Sequence, residues 1–203
     1  MILYGVRMIL WINGAFGSGK TTAAYELRRR TNNSFVYDPE NVGYFIWKNA
    51  PPKFKKGDFQ DIPLWREMNY HMLRLIASGF GGLLIVPMTL VNKDYYDEII
   101  TKLANDGLDI RHFILYASKA TILKRLKKRS VGKPDAFAMQ SIDGCLHAFD
   151  TRITDIKIMT DDMSIDGVVA EIAEQCGIVL NPDKRPRIKR LFDRFATWIK
   201  HIR

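Results

Sequence analysis

The stretch that decides the fold is MILWINGAFGSGKTTAAYELRRR, residues 8–30. Its first six residues form an apolar run without alternation, which predicts a strand buried on both faces of a parallel sheet. TTAAYELRRR has the spacing of a helix. Between them, residues 14–21 match the phosphate-binding pattern G-x-x-x-x-G-K-[ST] in full. The sequence therefore predicts a strand, a phosphate-binding loop and a helix in succession.

This loop has a specific chemistry. Backbone N–H groups of a tight glycine turn converge on an anion, and the helix N-terminus adds its positive dipole end. Gly17 and Gly19 permit the backbone to approach the ligand closely. We expect Lys20 to reach the β- and γ-phosphates of ATP and the Thr21 hydroxyl to ligate Mg²⁺. A glycine turn without a ligand is the disfavoured alternative. The predicted nucleotide-binding residues are Gly14, Ala15, Phe16, Gly17, Ser18, Gly19, Lys20, Thr21 and Thr22.

Strands and helices alternate along the rest of the chain. This alternation indicates an α/β fold with a parallel sheet covered by helices on both faces. We predict a P-loop NTPase of the nucleoside-monophosphate or shikimate kinase type, with five strands in the order 2-3-1-4-5, and a loop at 48–63. The expected strands are 8–13, 34–38, 83–88, 110–118 and 155–160. The expected helices are 21–30, 64–77, 95–107, 119–129, one that ends near residue 150, and 164–177.

Composition narrows the class of protein. The 203 residues carry a net charge of +9 and suit a single domain, predicted at 1–180, with a basic appendage at 181–203. Cys145 and Cys176 belong to no motif, which favours a reducing cytoplasm. The four histidines have no ligand spacing, so we expect no dedicated metal site held by protein ligands alone. No apolar run is long enough for a membrane span, and the first strand leaves no room for a signal peptide.

A basic segment indicates which kind of P-loop protein this is. The chain lacks the N-K-x-D signature of GTPases and is small for a motor ATPase. TILKRLKKRSVGK, residues 121–133, fits the basic lid of a small kinase, which closes over the triphosphate. Arg125 and Arg129 lie four residues apart on one helix face, so both could stabilise the transferring phosphoryl group. A solvated surface helix is the alternative.

Asp38 is the candidate catalytic base. It follows the second strand, and carboxyl ends of strands face the ligand crevice of such sheets. There it could accept a proton from the acceptor hydroxyl or hold a Mg²⁺-bound water. Alternatively, Asp38 caps the next helix within an Asp-Pro turn. The third strand ends at Pro87-Met88-Thr89 without the usual metal-binding carboxylate. This leaves Thr21 and the phosphates to hold the metal, with Asp38 or Thr89 acting through water.

The acceptor site is predicted in DFQDIPLWREMNY, residues 58–70. Trp65 and Tyr70 could stack on a ring, and Arg66 could pair with an anionic group. Asp58 and Gln60 offer polar contacts. Packing of the two aromatic residues against the sheet is an equally good interpretation.

The tail is a separate electrostatic feature, because residues 181–203 alone carry +6. From Arg187 to Arg203 the apolar residues fall within a stripe of about 120° on a helix. The helix could pack this stripe on the kinase domain. It could instead lie on an anionic membrane, with Trp and Phe on one face and cations on the other.

Linked motifs resemble the bacterial tunicamycin-resistance ATP-binding proteins. They are WINGAFGSGKT, VYDPE, DFQ..PLWR..NY, LLIVPMT, YASK.T.LKRL..R and the basic C-terminal helix. The resemblance runs from about Met8 to the end, so residues 1–7 are expected to be an extension or a mis-called start. It implies a P-loop kinase-like fold, ATP at Gly14–Thr21 and resistance to a nucleoside antibiotic by phosphorylation. Related chloramphenicol phosphotransferases place a catalytic aspartate at the position matching Asp38, and the absent strand-3 carboxylate belongs to the family pattern.

Three functional hypotheses follow. The first is a small-molecule kinase for tunicamycin or a related nucleoside, using ATP and Mg²⁺, with Lys20, Asp38, Arg125 and Arg129 as catalytic residues. The second is an ATP-dependent protein that sequesters the drug without chemistry. Nucleic-acid binding is the third and weakest, since no recognition motif accompanies the charge. We expect a cytoplasmic protein, with peripheral association to the inner face of the membrane through the tail.

Overall fold

The computed structural model describes residues 8–55, 57–129 and 136–200. Its centre is a five-stranded sheet in the order β2-β3-β1-β4-β5, and every strand pairing is parallel. The predicted strand order is therefore confirmed. The strands are β1 (Met8–Asn13), β2 (Ser34–Val36), β3 (Leu83–Pro87), β4 (Ile110–Tyr116) and β5 (Ile156–Met159).

Strand β1 occupies the middle of the sheet. It pairs with β3 on one side and β4 on the other, so Leu10 faces Ile85 and Arg111 across the two ladders. Residues 9–13 are all buried, as expected for a strand covered on both faces. The central position places the loop after β1 between the carboxyl ends of its two neighbours. That edge is where ligands bind in open α/β sheets.

Helices cover both faces of the sheet. Three short helical segments run consecutively at 93–105, with a π-helical turn in the middle. The helices are α1 (Lys20–Arg30), α2 (Glu40–Asn49), α3 (Pro63–Gly79), α4 (Lys93–Tyr96), α5 (Lys102–Asn105), α6 (Lys119–Arg129), α7 (Ala136–Gln140), α8 (Ile142–Thr151), α9 (Ile165–Gln175) and α10 (Arg187–Lys200).

Local structure differs from expectation after β2. The predicted loop at 48–63 contains the end of α2, two 3₁₀ turns at Pro52–Lys55 and Phe59–Asp61, and the start of α3. The helix expected to run to about residue 150 is divided into α7 and α8 near Ser141. Most of the predicted lid loop, residues 130–135, lies outside the described residues, as do residues 1–7.

The tail folds as helix α10 and lies against α1 and α9. Arg185 and Arg194 pair with Glu26, a side chain of α1 that has no exposed surface, and Arg190 and Arg194 pair with Asp166. The expectation that the apolar stripe packs on the domain is wrong, because the polar face makes these contacts. In the described part of the chain, no helix is long and apolar enough to cross a membrane.

Candidate nucleotide and acceptor site

The glycine turn between β1 and α1 forms the floor of the site. Gly17 has a φ of 83° and Gly19 a φ of 105°, the left-handed region that glycine adopts at little cost. Gly19 precedes the first residue of α1, and no side chain caps that helix end. The first N–H groups of α1 therefore point toward the site, where the positive end of the helix dipole favours a phosphate.

Lys20 and the threonines extend this floor. The Lys20 ammonium donates hydrogen bonds to the carbonyl oxygens of Gly14, at 2.9 Å, and Ala15, at 3.1 Å. These bonds keep the charge within the turn, where a bound phosphate would attract it. Thr21 borders the larger of two adjoining cavities and Thr22 the smaller one. The predicted phosphate-binding residues are thus brought together around one turn.

Asn13 is a supporting residue that the sequence reasoning missed. Its side chain is fully buried, and its Oδ1 accepts hydrogen bonds from the backbone N–H groups of Gly14 and Leu90. Its Nδ2 donates to the Leu90 carbonyl and to Nε2 of His112. Asn13 therefore ties the start of the turn to the segment after β3. A polar residue at the end of an apolar strand was the available signal.

His112 links the Asn13 side chain to Asp155 and Tyr96. Because Asn13 Nδ2 can only donate, His112 Nε2 accepts and the imidazole proton lies on Nδ1. Nδ1 then donates to Asp155 Oδ2, at 2.6 Å, and the Tyr96 hydroxyl donates to the same oxygen. The hydrogen bond from His112 holds the pKa of Asp155 below its usual value.

Thr89 stands where P-loop proteins usually carry a metal-binding carboxylate. Its hydroxyl is buried and donates to the Gly14 carbonyl at 2.9 Å, so it braces the turn. Thr21, Asp38 and Glu40 all border the larger cavity and offer oxygen atoms for a metal. Hydroxyl and carboxylate oxygens are the ligands that Mg²⁺ prefers, so this donor set fits the ion.

The larger cavity has a volume of about 470 Å³ and opens directly above the turn. Lys20 and Thr21 border it on one side, and the segment 57–60 and helix α2 border it on the other. Its wall combines acidic and aromatic groups, which suits an uncharged ring compound that carries hydroxyl groups. The acidic residues are Asp38, Glu40 and Asp58, and the aromatic residues are Phe16, Tyr44, Trp47, Phe59 and Phe137.

Asp38 lies between the start of α2 and the larger cavity. Its Oδ1 accepts a hydrogen bond from the Glu40 N–H at 3.0 Å, which fixes the start of α2 as an Asx turn does. The same residue borders the cavity that contains Lys20 and Thr21. The Asx-turn bond therefore fixes one carboxylate oxygen at the start of α2, beside that cavity.

Asp58 and Gln60 form the far wall of the cavity. Asp58 accepts hydrogen bonds from the Gln60 backbone and side-chain amides, and burial raises the pKa of Asp58. Arg66 supports this segment from behind. Its guanidinium donates to the Gln60 carbonyl and to Glu98, both at 2.6 Å, and lies over the Tyr95 ring. Arg66 therefore positions the wall of the cavity. The prediction that Arg66 pairs with an anionic group of the acceptor is wrong, because its guanidinium is used in these bonds.

Trp65 and Tyr70 are also absent from the lining of the cavity. Trp65 has no exposed surface, and its Nε1 donates to the Pro39 carbonyl. The Tyr70 hydroxyl donates to Asp106 on the side of α3 that faces α5. The prediction that these rings stack on the acceptor is therefore wrong, because both rings are used in packing and hydrogen bonding. Trp47 and Phe59 occupy the wall instead.

Arg125 lies at the smaller cavity, which has a volume of about 210 Å³. Its guanidinium donates to the Thr160 hydroxyl, after β5, and to the Ser18 carbonyl. The cavity continues between Thr22 and Val168. The backbone of Arg129 lies in the last turn of α6, and its side chain is outside the described part. Arg125 thus joins the nucleotide turn to the β5–α9 connection and borders the smaller cavity, whereas Asp38 borders the larger one.

Comparisons with known proteins agree with this architecture. A tunicamycin resistance protein of Deinococcus radiodurans is 32% identical, covers 86% of this chain and 98% of its own, and superposes with a TM-score of 0.73. A gluconokinase of Sinorhizobium meliloti is 12% identical, with 84% and 92% covered and a TM-score of 0.60. The APS kinase of Mycobacterium tuberculosis, solved with AMPPNP and APS, is 16% identical, with 84% and 97% covered and a TM-score of 0.56.

The fold and the turn together define a protein of the P-loop kinase fold. The Deinococcus radiodurans protein shares enough of its sequence with this chain, over nearly its whole length, to define the family. This chain belongs to the tunicamycin resistance proteins. No protein-family model matches the chain, and no curated protein sequence matches it either.

Proposed function

We propose that this protein is an ATP-dependent phosphotransferase that modifies a hydroxyl group of tunicamycin or a related nucleoside antibiotic and so confers resistance. One observation carries the proposal: Lys20, Thr21 and Asp38 border a single cavity of about 470 Å³. A phosphate-binding turn and a carboxylate in one enclosed space suit transfer from ATP to a neighbouring hydroxyl. Membership of the tunicamycin resistance family supports the choice of drug.

The nucleotide is held from two sides in this proposal. The N–H groups of the turn and Lys20 bind the β- and γ-phosphates, while Arg125 and the smaller cavity hold the remainder of ATP. The Thr21 hydroxyl would hold Mg²⁺, which would supply positive charge to neutralise the phosphates. Arg129, at the end of the basic helix α6, is assigned to the transferring phosphoryl group, since positive charge there stabilises the transition state.

Asp38 acts as the general base. The acceptor hydroxyl oxygen attacks the γ-phosphorus, the bond to the β-phosphate oxygen breaks, and ADP leaves. The hydroxyl proton passes to the Asp38 carboxylate, which its hydrogen bond with Glu40 holds in position. The aromatic wall excludes water and holds the acceptor, so that transfer to water is disfavoured.

Sequestration without chemistry is the second candidate. Thr89 favours it, because this residue replaces the usual carboxylate after β3 and donates its hydroxyl to Gly14. Without that carboxylate the metal has fewer fixed ligands, and phosphoryl transfer needs a well-placed metal. In this alternative, ATP closes the cavity over the drug and neither molecule is altered.

Incubation of the protein with tunicamycin and Mg²⁺-ATP separates these candidates. Mass spectrometry of the drug should find one added phosphoryl group, with one ADP formed for each molecule modified. Binding that requires ATP but leaves the drug unchanged would instead establish sequestration. If the drug neither binds nor changes while ATP still binds, both candidates fail and the acceptor is another compound.

Asp38→Asn tests the base separately. We expect ATP affinity to stay nearly unchanged and turnover to fall by roughly 10²- to 10⁴-fold, the usual contribution of a positioned acid–base group. Asp94→Asn is the matched control, because Asp94 is an exposed carboxylate in the first turn of α4. Turnover of Asp38→Asn within a factor of three of the control would reduce Asp38 to the cap of α2.

We further propose that the reaction takes place in the cytoplasm, where ATP is available and both cysteines would stay free, as they are in the structure. The membrane association expected for residues 181–203 does not depend on the nucleotide site.

A further inference from the structure

The side-chain amide of Asn13 can lie in only one orientation. Its Oδ1 faces the backbone N–H groups of Gly14 and Leu90, which can only donate, and its Nδ2 faces the Leu90 carbonyl, which can only accept. Turning the amide over would oppose three like groups at a side chain that has no exposed surface. The fourth partner, His112 Nε2 at 3.2 Å, must therefore accept a hydrogen bond from Asn13.

His112 differs from the backbone partners of Asn13, because an imidazole can either donate or accept at each nitrogen. A neutral ring carries its proton on one of the two nitrogens, and only the Nδ1–H form leaves Nε2 free to accept. In the Nε2–H form, hydrogens of His112 and Asn13 would point at each other across 3.2 Å. An imidazolium ion would do the same, since both of its nitrogens donate. The support that Asn13 gives the phosphate-binding turn thus depends on the tautomer of His112.

Asp155 and Tyr96 hold the tautomer that Asn13 needs. Asp155 Oδ2 lies 2.6 Å from His112 Nδ1, and a carboxylate can only accept, so the imidazole proton is kept on Nδ1. The Tyr96 hydroxyl donates to the same oxygen at 3.0 Å, and the Tyr96 ring meets the His112 ring edge-on, with 5.3 Å between the ring centroids. The plane of the imidazole and the position of its proton are therefore both fixed.

We propose that His112 is a positioning residue for ATP binding. Its Nδ1–H tautomer, held by Asp155, orients Asn13, and Asn13 directs the Gly14 N–H at the start of the phosphate-binding turn. His112 lies with Tyr96 and Asp155 on another cavity, of about 370 Å³, and acts on the turn through Asn13. This inference rests on the proposed binding of ATP at the turn and is independent of the identity of the acceptor.

A side chain that only fills space at position 112 would behave differently from a positioning residue. Space can be filled equally well by glutamine or asparagine, whereas positioning depends on which ring nitrogen is replaced. Glutamine brings its side-chain oxygen to about the place of Nε2, and asparagine brings its amide nitrogen to about the place of Nδ1. The two variants therefore separate the contact with Asn13 from the contact with Asp155.

Calorimetry with ATP tests the two variants against the parent chain. His112→Gln keeps an acceptor for Asn13 and loses the bond to Asp155, so its ATP affinity should stay within about 1.5-fold of the parent's. His112→Asn keeps a donor for Asp155 and leaves Asn13 Nδ2 without this acceptor. Its ATP affinity should fall roughly three- to fivefold. Thermal unfolding of both variants shows that each is folded at the temperature of the titration.

The Asn13→Ala background tests whether His112 acts through Asn13. Adding His112→Asn to Asn13→Ala should weaken ATP binding no further, whereas effects by separate routes would multiply. If the double variant does not fold, the comparison of His112→Gln with His112→Asn and the tautomer of the parent chain still decide the proposal.

The tautomer can be measured without nucleotide by ¹⁵N NMR of the imidazole nitrogens, with the His112 signals identified by their loss in His112→Gln. We expect a protonated Nδ1 and a bare Nε2. Asp155→Leu should abolish this preference and weaken ATP binding, because the carboxylate that holds the proton is gone. Tyr96→Phe is the matched control: it removes the other hydrogen bond to Asp155 and should keep both the tautomer and the ATP affinity.

Three results would overturn the proposal: a protonated Nε2 in the parent chain, equal losses of ATP affinity in His112→Gln and His112→Asn, or multiplied losses in the double variant. Failure of the parent chain itself to bind ATP would instead refute the proposed function.

Discussion

Asn13 offers a quantitative test of how the phosphate-binding turn is held. Its fully buried side chain makes four hydrogen bonds, to Gly14, twice to Leu90 and to His112. Asn13→Ala removes all four and leaves buried groups unpaired. At about 1 kcal/mol for each bond, the free energy of unfolding should fall by about 4 kcal/mol. In a chain of 203 residues this lowers the melting temperature by roughly 8–16 °C.

The same variant should weaken ATP binding, because the Gly14 N–H loses the acceptor that orients the turn. We expect a roughly five- to tenfold loss of affinity, measured by calorimetry at a temperature where the variant is folded. Asn69→Ala is the matched control: Asn69 is equally buried but makes two hydrogen bonds, with Tyr37 and Trp65. It should cost about 2 kcal/mol and leave ATP affinity unchanged.

Equal losses of stability in the two variants would show that the number of hydrogen bonds does not set the magnitude. ATP binding by Asn13→Ala equal to that of the parent protein would show that the turn keeps its shape without the Asn13 side chain.

Two further variants, one of them with a control, test other contacts. A Cβ on Gly43 would lie 2.4–2.8 Å from the Phe59 ring, so Gly43→Ala should destabilise the fold by about 1–3 kcal/mol and weaken acceptor binding. Gly144→Ala, which meets open space in α8, should be neutral or stabilising in thermal unfolding. The hydrogen bond from His112 lowers the folded-state pKa of Asp155. The ionised Asp155 carboxylate therefore stabilises the fold above about pH 4, and this stabilisation is lost as pH falls through the folded-state pKa. The stability gap between parent and Asp155→Asn should therefore shrink from pH 6 to pH 3, and a constant gap would contradict this.

The phosphate-binding turn was predictable because its signal is local. An apolar run, three glycines and Lys20 within a short stretch fit a strand, a turn and a helix start, and little else. The alternation of elements predicted a parallel sheet, and the order 2-3-1-4-5 was taken over from the P-loop kinase type that the turn indicates. Asp38 could be assigned to the carboxyl edge of the sheet for the same reason.

The acceptor wall could not be predicted in the same way. The spacing of Trp65, Arg66 and Tyr70 indicates a helix with buried positions, but periodicity does not say what each position meets. Packing against α2 and α5 turned those side chains away from the cavity, and the 3₁₀ turn carrying Asp58 and Gln60 took their place. The partners that decide this lie up to 36 positions away in sequence.

The sequence by itself determined that residues 8–30 would form a phosphate-binding unit and that residues 187–200 would form a strongly amphipathic helix. Only the tertiary structure decided which side of that helix faces the domain. Glu26 and Asp166, remote in sequence, present carboxylates to Arg185 and Arg194. Pairing these charges outweighs burial of the apolar stripe at that place, because an unpaired buried carboxylate costs more than exposed leucine and phenylalanine.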